Sequence, residues 1–363
     1  MAGMVRQLSF RPLTRTSRAG KPWGLPGLPP RSDHVRRRMT MSVSETTMRA
    51  VTLAEFGGPE RLAVTEVRRP EPLPTEILVR VHAAGINPVD WKVRDGKVGL
   101  AGLYTLPLVL GWDVSGVVEA VGPGVTTFRP GDEVYGMPWF PRAAGGYAEY
   151  VTAPSRQFAR KPASVGHVEA AALPLAALTA WQGLVDTARV TAGQRVLVHA
   201  AAGGVGHLAV QFARHLGAEV VATAREPRHA WLKELGAAQT IDYTRERFEE
   251  VMEPVDVVLD LMGRVDDTDV RSVAVTRPGG LVISFPEGVS EALAAAGAAA
   301  GVRTASMIVE PDAPALAAIA ELVDAGAVRV EVERTFPLGE AAEAHRLGAA
   351  NRTRGKLVLD ATR

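Results

Sequence analysis

The stretch Arg195-Val196-Leu197-Val198-His199-Ala200-Ala201-Ala202-Gly203-Gly204-Val205-Gly206-His207-Leu208 opens as an apolar run, passes through a turn of small residues and continues into the amphipathic segment 207–217. A strand over 195–200, a tight turn and a helix build an anion site. Backbone N–H groups without helical partners and the positive end of the helix dipole converge on the turn. The turn matches G-x-G-x-x-G with Ala201 in the first glycine's place. Gly203 lets the backbone approach a pyrophosphate, Gly206 lets the helix pack on its strand, and Gly204 and Val205 complete the loop. Glycine-rich turns also end many strands for steric reasons alone; the flanking strand and helix favour a dinucleotide here.

The next strand, 219–225, bears on which dinucleotide. A free ribose 2′-OH favours an acidic residue at that strand's end, about 20 residues past the turn, whereas a 2′-phosphate favours a cation. Thr223, Ala224 and Arg225 stand there and no acid precedes Glu226, so the sequence predicts NADP(H), with NADPH as the working coenzyme. Tyr243 and Arg228 either complete a phosphate pocket or are ordinary solvated side chains.

The 363 residues suit two domains, and 47% hydrophobic with 22% charged residues is the balance of a globular chain in water. No apolar run approaches a membrane span; the alanine-rich stretch 292–301 is short, interrupted by glycine and read as a packed helix. The chain has no cysteine, which excludes disulfides, thiolate zinc sites and a cysteine nucleophile. Its eight histidines include no His-x-x-x-His pair, so no metal is expected. The net charge of +1 is unevenly spread: residues 1–47 carry nine Lys or Arg against Asp33 and Glu45, a balance of +7 that leaves −6 on the remainder. A body of that sign has no general attraction for nucleic acid.

The Arg-, Pro- and Gly-rich leader 1–47 is expected to be disordered. Its composition is that of a transit peptide, but Met39, Met41 and Met48 precede the first strand-like run. A start codon placed too early is therefore the preferred reading, and with it a cytoplasmic location. Residues 48–172 read as short strands in which β-branched and polar residues alternate, with turns at Val121-Gly122-Pro123-Gly124 and Pro130-Gly131-Asp132: an antiparallel, barrel-like domain. Over 173–311, strand candidates at 195–200, 219–224, 240–243, 256–262, 280–285 and 302–308 alternate with helical segments such as 207–216 and 228–235. That alternation implies βαβ crossovers and an α/β domain of Rossmann type, with a doubly wound parallel sheet. Leu208, Phe212 and Leu216 form one buried stripe on its first helix. Residues 312–363 are expected to return to the first domain through the strand-like runs 328–336 and 355–361, leaving the active site in the cleft between domains.

Several separated segments carry a family resemblance: GINPVDWKVRDG (85–96), LPLVLGWDVSGVVEAVGPGVTTFRPGDEVYG (106–136), GGYAEYV (145–151), AAALPLAALTAWQGL (170–184), the 201–206 turn, VLDLMG (258–263), RPGGLVIS (277–284) and RGKLVL (354–359). Together they resemble the zinc-free medium-chain dehydrogenase/reductase superfamily, in its quinone oxidoreductase-like and NADP-dependent enone reductase branch, over 48–363. The resemblance implies a GroES-like catalytic domain for 48–172 and, since many members are dimers, a homodimer. Zinc-dependent relatives carry a Cys-led pattern near Asn87 and a later Gly-His-Glu. Here the later site is Gly111-Trp112-Asp113, and an indole N–H, which only donates, cannot ligate zinc.

The resemblance also implies that Asn87 lies beside the nicotinamide, its amide toward cofactor or acceptor oxygen; the other reading is a turn-forming Asn-Pro. Thr179 is implied near the nicotinamide and pyrophosphate, or else is a hydroxyl buried in its helix. Lys356 is implied as cofactor-facing, or else is a surface lysine opening a strand. Leu261, Met262, Ser284 and Phe285 follow the carboxyl ends of two strands, where open α/β sheets bind ligands, and backbone contacts to the carboxamide are expected there. Asp90, Lys92 and Arg94 share a side if their segment is extended and separate if it is helical. Asp90 and Lys92 are catalytic candidates: Lys92 either polarises an acceptor oxygen or donates a proton, or it pairs with Asp90 at the surface. Tyr104 either replaces a tyrosine of the quinone reductases or packs in its loop, and Met137, Trp139 and Phe140 either line the substrate pocket or pack locally.

Without a metal, hydride chemistry suits acceptors that are already electrophilic, so the expected reaction is NADPH-dependent reduction of small-molecule quinones or α,β-unsaturated carbonyl compounds. Two alternatives stay open: an enoyl thioester reductase, which needs a basic groove that the acidic body does not offer, and a redox-inert NADPH-binding protein with RNA affinity, which the charge balance outside the leader disfavours.

Overall fold

The computed structural model describes residues 46–97 and 101–363; the disorder expected of the leader falls on positions outside the described residues, apart from Thr46 and Thr47. Six parallel strands form one sheet in the order Gln239–Ile241, Glu219–Thr223, Arg195–Val198, Val255–Asp260, Thr276–Ser284 and Arg303–Ala305. Its central strands are apolar because crossover helices cover both faces. The order reverses between Arg195–Val198 and Val255–Asp260, which opens a crevice at their carboxyl ends. The first strand stops at Val198 rather than at 200, since Ala200 turns with φ of 46°.

The helix Gly206–His215 starts directly from that turn, with Leu208 and Phe212 fully buried and Leu216 half-buried against the same core. A Cβ at residue 206 would stand 2.4 Å from the Ala200 carbonyl oxygen and 2.6 Å from Ala201 Cα, so only glycine allows the helix to begin this close to its strand.

A seven-stranded sheet joins segments that precede the parallel sheet in sequence to the closing segment of the chain. Its order is Val332–Pro337, Lys356–Asp360, Glu76–Ile86, Asp113–Val121, Glu133–Gly136 and Phe158–Arg160, with Tyr150–Pro154 also paired to Glu76–Ile86. A three-stranded sheet of Leu62–Arg68, Thr47–Leu53 and Leu108–Val109 adjoins it. The closing strand lies antiparallel to Glu76–Ile86 with Leu357 opposite Ile86, and Glu76–Ile86 lies antiparallel to Asp113–Val121 with Gly85 opposite Asp113. This register brings Lys356, Asn87 and Asp113 to one end of three neighbouring strands.

Gly85 makes room there: a Cβ would sit 2.2 Å from the Ala171 carbonyl oxygen and 2.9 Å from Asp113 Cβ. Above the cluster starts the helix Pro174–Trp181, buried on nearly every side and apolar to match. Among the described residues no helix is long and apolar enough to cross a membrane.

Candidate active site

The glycine turn offers free donors. Among the described residues the amides of Gly204, Val205 and Gly206 have no backbone acceptor, while Gly203 N–H closes the turn onto the Ala200 carbonyl at 2.9 Å. A pyrophosphate fits such a set of donors. The turn is also tied to the other sheet: Gly355 N–H donates to the Ala202 carbonyl at 3.0 Å, and a Cβ on Gly204 would stand 2.9 Å from Lys356 Cδ. The side chain of Lys356 thus crosses the mouth of the turn.

Lys356 then enters a buried polar cluster. Its ammonium, with the residue only 3% exposed, donates to Asn87 Oδ1 and lies 3.4 Å from Asp113 Oδ2. Asn87 Nδ2 donates to the same Asp113 oxygen at 2.9 Å, and Leu175 N–H donates to the other at 2.7 Å. Burial pulls Lys356 below and pushes Asp113 above their ordinary values, and their mutual attraction opposes both shifts. The Asn-Pro restraint is visible: Asn87 is extended with φ −132° and ψ 156° and caps the helix Pro88–Arg94. Its backbone N–H donates to Asp90 Oδ2 at 2.6 Å, while its side chain joins the cluster.

Helical geometry separates the next candidates. Asp90 is fully buried, whereas Lys92 is exposed. Two residues apart on a helix lie about 200° apart around its axis. The structure therefore corrects the pairing of Lys92 with Asp90 at the surface, since Asp90 is buried, and Lys92 stands outside the Lys356–Asn87–Asp113 cluster. Arg94, the third of this spacing, is buried. Thr179 spends its hydroxyl on the Leu175 carbonyl at 2.7 Å, the helix-buried alternative. Ser284 donates its hydroxyl to Asp260 Oδ2 at 3.0 Å, and Phe285 N–H donates to the Asp260 carbonyl at 3.1 Å, so both serve the loop that carries half-buried Leu261 and Met262. Asp260 also accepts from Met262 and Gly263 N–H, and burial raises its carboxyl to about 6. Tyr104 packs, donating to the Pro141 carbonyl at 2.8 Å, and Met137 is fully buried.

At the far end of the crevice Thr223 is buried with its hydroxyl 3.1 Å from His199 Nδ1, and exposed Arg225 donates through Nε to Tyr243 Oη at 3.1 Å. Asp113 is the residue that sequence reasoning treated only as a departure from a zinc pattern. Its signal was a carboxylate at the head of the strand Asp113–Val121, with valines on both sides of Ser115 and Gly116.

The site does not suit a catalytic zinc. Trp112 is buried and donates its indole N–H to the Arg142 carbonyl at 2.6 Å, and an ammonium already occupies the place between Asn87 and Asp113. Among the described residues no group of three or more His, Asp or Glu is arranged to hold a metal ion.

His207, one residue beyond the turn, clamps the two sheets together. Its Nδ1–H donates to the Gly203 carbonyl at 2.8 Å, and its Nε2 accepts from Glu331 N–H at 3.1 Å. Burial lowers this imidazole from 6.5 to about 4, so across that interval the unfolded chain takes up a proton that the folded chain refuses, and stability falls as pH falls. His207→Asn is expected to flatten the acid limb of unfolding free energy by up to about 1.4 kcal/mol per pH unit there, read by urea titration. Parallel limbs for the two proteins would contradict it.

Comparison with known proteins places this geometry among relatives. Residues 73–163 match the family model for the alcohol dehydrogenase GroES-like domain, and residues 235–359 match the model described as zinc-binding dehydrogenase. The chain is 34% identical to the chloroplastic NADPH-dependent alkenal/one oxidoreductase of Arabidopsis thaliana, over 86% of this chain and 79% of the relative. It is 35% identical to a quinone oxidoreductase of Pseudomonas aeruginosa, over 85% and 98%. The solved structure of the quinone oxidoreductase from Coxiella burnetii superposes with a TM-score of 0.82 at 36% identity, covering 87% of this chain and 99% of that one.

Proposed function

We propose, from the premise that this chain belongs to the medium-chain dehydrogenase/reductase superfamily and is an oxidoreductase, that it reduces quinones or α,β-unsaturated ketones and aldehydes with NADPH. The observation that carries this reading is the junction of the glycine turn with a buried ammonium and amide: Gly204 lies against the Lys356 side chain, whose ammonium meets Asn87 and Asp113.

The bound coenzyme supplies the hydride; the chain supplies place and charge. The amides of Gly204, Val205 and Gly206 hold the pyrophosphate, and Arg225 with Tyr243 holds the 2′-phosphate. The ammonium of Lys356 has three N–H donors, of which Asn87 and Asp113 engage two. The third is available to an oxygen that gains negative charge, which favours acceptors that need no Lewis acid. The names of the Arabidopsis and Pseudomonas relatives support the same acceptor classes.

Purified protein is expected to consume NADPH with 1,4-benzoquinone and with an alkyl vinyl ketone, and not with a saturated aldehyde. Absence of consumption with both of the first two would end the proposal. Arg225→Asp is expected to cut the preference for NADPH over NADH by about 10- to 100-fold, the worth of one charge-assisted phosphate contact. An unchanged ratio of kcat/KM values would remove Arg225 from the pocket.

A further inference from the structure

Behind Asn87 lies a second buried polar group, which the reading above leaves unused. Asp90, Tyr147, His345 and Arg94 are each at most 3% exposed and come from three places: the helix Pro88–Arg94, the loop before the strand Tyr150–Pro154, and the helix Ala341–Ala349. Arg94 donates from its guanidinium to His345 Nδ1 at 3.1 Å, and His345 Nε2 lies 3.3 Å from Tyr147 Oη. A guanidinium only donates, so Nδ1 is an acceptor and the imidazole proton sits on Nε2, directed at the tyrosine oxygen. The Tyr147 proton is then left for the Asp90 carboxylate, with which the hydroxyl interacts. Among the described residues Asp90 Oδ1 is sealed from solvent without a hydrogen-bond partner, while Oδ2 accepts from Asn87 N–H at 2.6 Å. The donors run one way, from Arg94 to His345 and from His345 to Tyr147, which stands beside the carboxylate that holds Asn87.

We propose that Tyr147 and His345 are positioning residues that set the protonation state of Asp90, and that Asp90 through its bond to the Asn87 backbone sets the placement of the Asn87 side chain. The inference rests on the reading of Asn87 as part of the acceptor site. As a carboxylate, Asp90 accepts from Asn87 N–H at Oδ2 and keeps Oδ1 as an open acceptor for the Tyr147 hydroxyl beside it. With a proton added at Oδ1 it becomes a donor toward Tyr147, whose oxygen already receives the imidazole proton, and the tyrosine proton loses its acceptor. The groups facing Asp90 are Tyr147 and the Asn87 amide, which favour the charged form, Lys356, which does the same, and Asp113, which opposes it; Tyr104 feels its charge. Arg94 and Asp95 face His345. Burial dominates and brings Asp90 to about 7, within the working range of an enzyme.

The test follows carboxyl and amide resonances of the full chain by NMR, without coenzyme, between pH 5 and 9. Asp90, assigned by its loss in Asp90→Asn, is expected to titrate near pH 7, and the Asn87 side-chain amide to shift with the same midpoint. Tyr147→Phe keeps the ring and removes the donor, and is expected to move both midpoints up by about one pH unit. His345→Gln is expected to move them by less. Should Asp90→Asn fail to fold, assignment passes to the one carboxyl that Tyr147→Phe displaces. An Asp90 midpoint below pH 5, an Asn87 amide that ignores it, or midpoints unmoved by Tyr147→Phe would each overturn the proposal. In turnover, kcat of the wild type should follow the same midpoint and that of Tyr147→Phe the displaced one, with KM for NADPH within twofold. A protein with the expected titrations that reduces no acceptor would refute the proposed function and leave this network standing.

Discussion

Asp113→Asn is expected to lower the free energy of unfolding by about 3–5 kcal/mol, and adding Lys356→Met to that variant is expected to recover most of the loss. The single change is nearly isosteric, so packing is not what fails. It leaves the Lys356 ammonium 3% exposed with the carboxylate nearest it gone, and it turns an acceptor that faces Asn87 Nδ2 into a group that also carries donors. Lys356→Met removes the orphaned charge while keeping a side chain of similar length against Gly204. The double-mutant cycle, read by urea unfolding, measures the coupling directly. Additive losses, with the double variant worse than either single one, would show that the pair is not buried as described. The double variant is not expected to turn over quinone or enone, because Lys356→Met removes the charge assigned to the acceptor oxygen.

Gly206→Val is expected to weaken NADPH binding by about 100-fold or more and to lower stability by about 1–3 kcal/mol. The added Cβ meets backbone rather than a side chain that can swing away: the Ala200 carbonyl oxygen at 2.4 Å and Ala201 Cα at 2.6 Å. Relief requires the helix Gly206–His215 to draw back from its strand. That displaces the free amides of Gly204, Val205 and Gly206 relative to one another, and an anion site works only while those donors converge. Calorimetric titration with NADPH checks the affinity and circular dichroism checks the fold. Affinity within threefold of the wild type would place the pyrophosphate elsewhere.

The fold and the nucleotide turn were legible from residues 195–217 because both are written in local periods, about 3.6 in the helix and a short apolar run in the strand. The place of Arg225 was countable for a similar reason: the end of the second strand is reckoned from the turn, and the side chain there is exposed. The spacing of Asp90, Lys92 and Arg94 posed the right question, extended or helical, but its answer lay in Asn87-Pro88, an N-cap followed by a proline at the first helical position. That signal was in the sequence and outweighs alternation. Thr179 and Ser284 were found as positions, yet their hydroxyls turn to carbonyl or carboxylate partners inside the fold.

Nothing in the sequence joined Tyr147, within the GGYAEYV segment, to His345, which lies 198 residues away. From sequence alone come the alternation that makes a doubly wound sheet, the turn that begins its first helix and the cation that follows its second strand, since each depends on neighbours within a few residues. Only the tertiary structure decides that Lys356 and Asp113, 243 residues apart, share one buried pocket with Asn87. That outcome depends on the antiparallel register of three strands and on the low dielectric around their ends, and neither is encoded in any one stretch of chain.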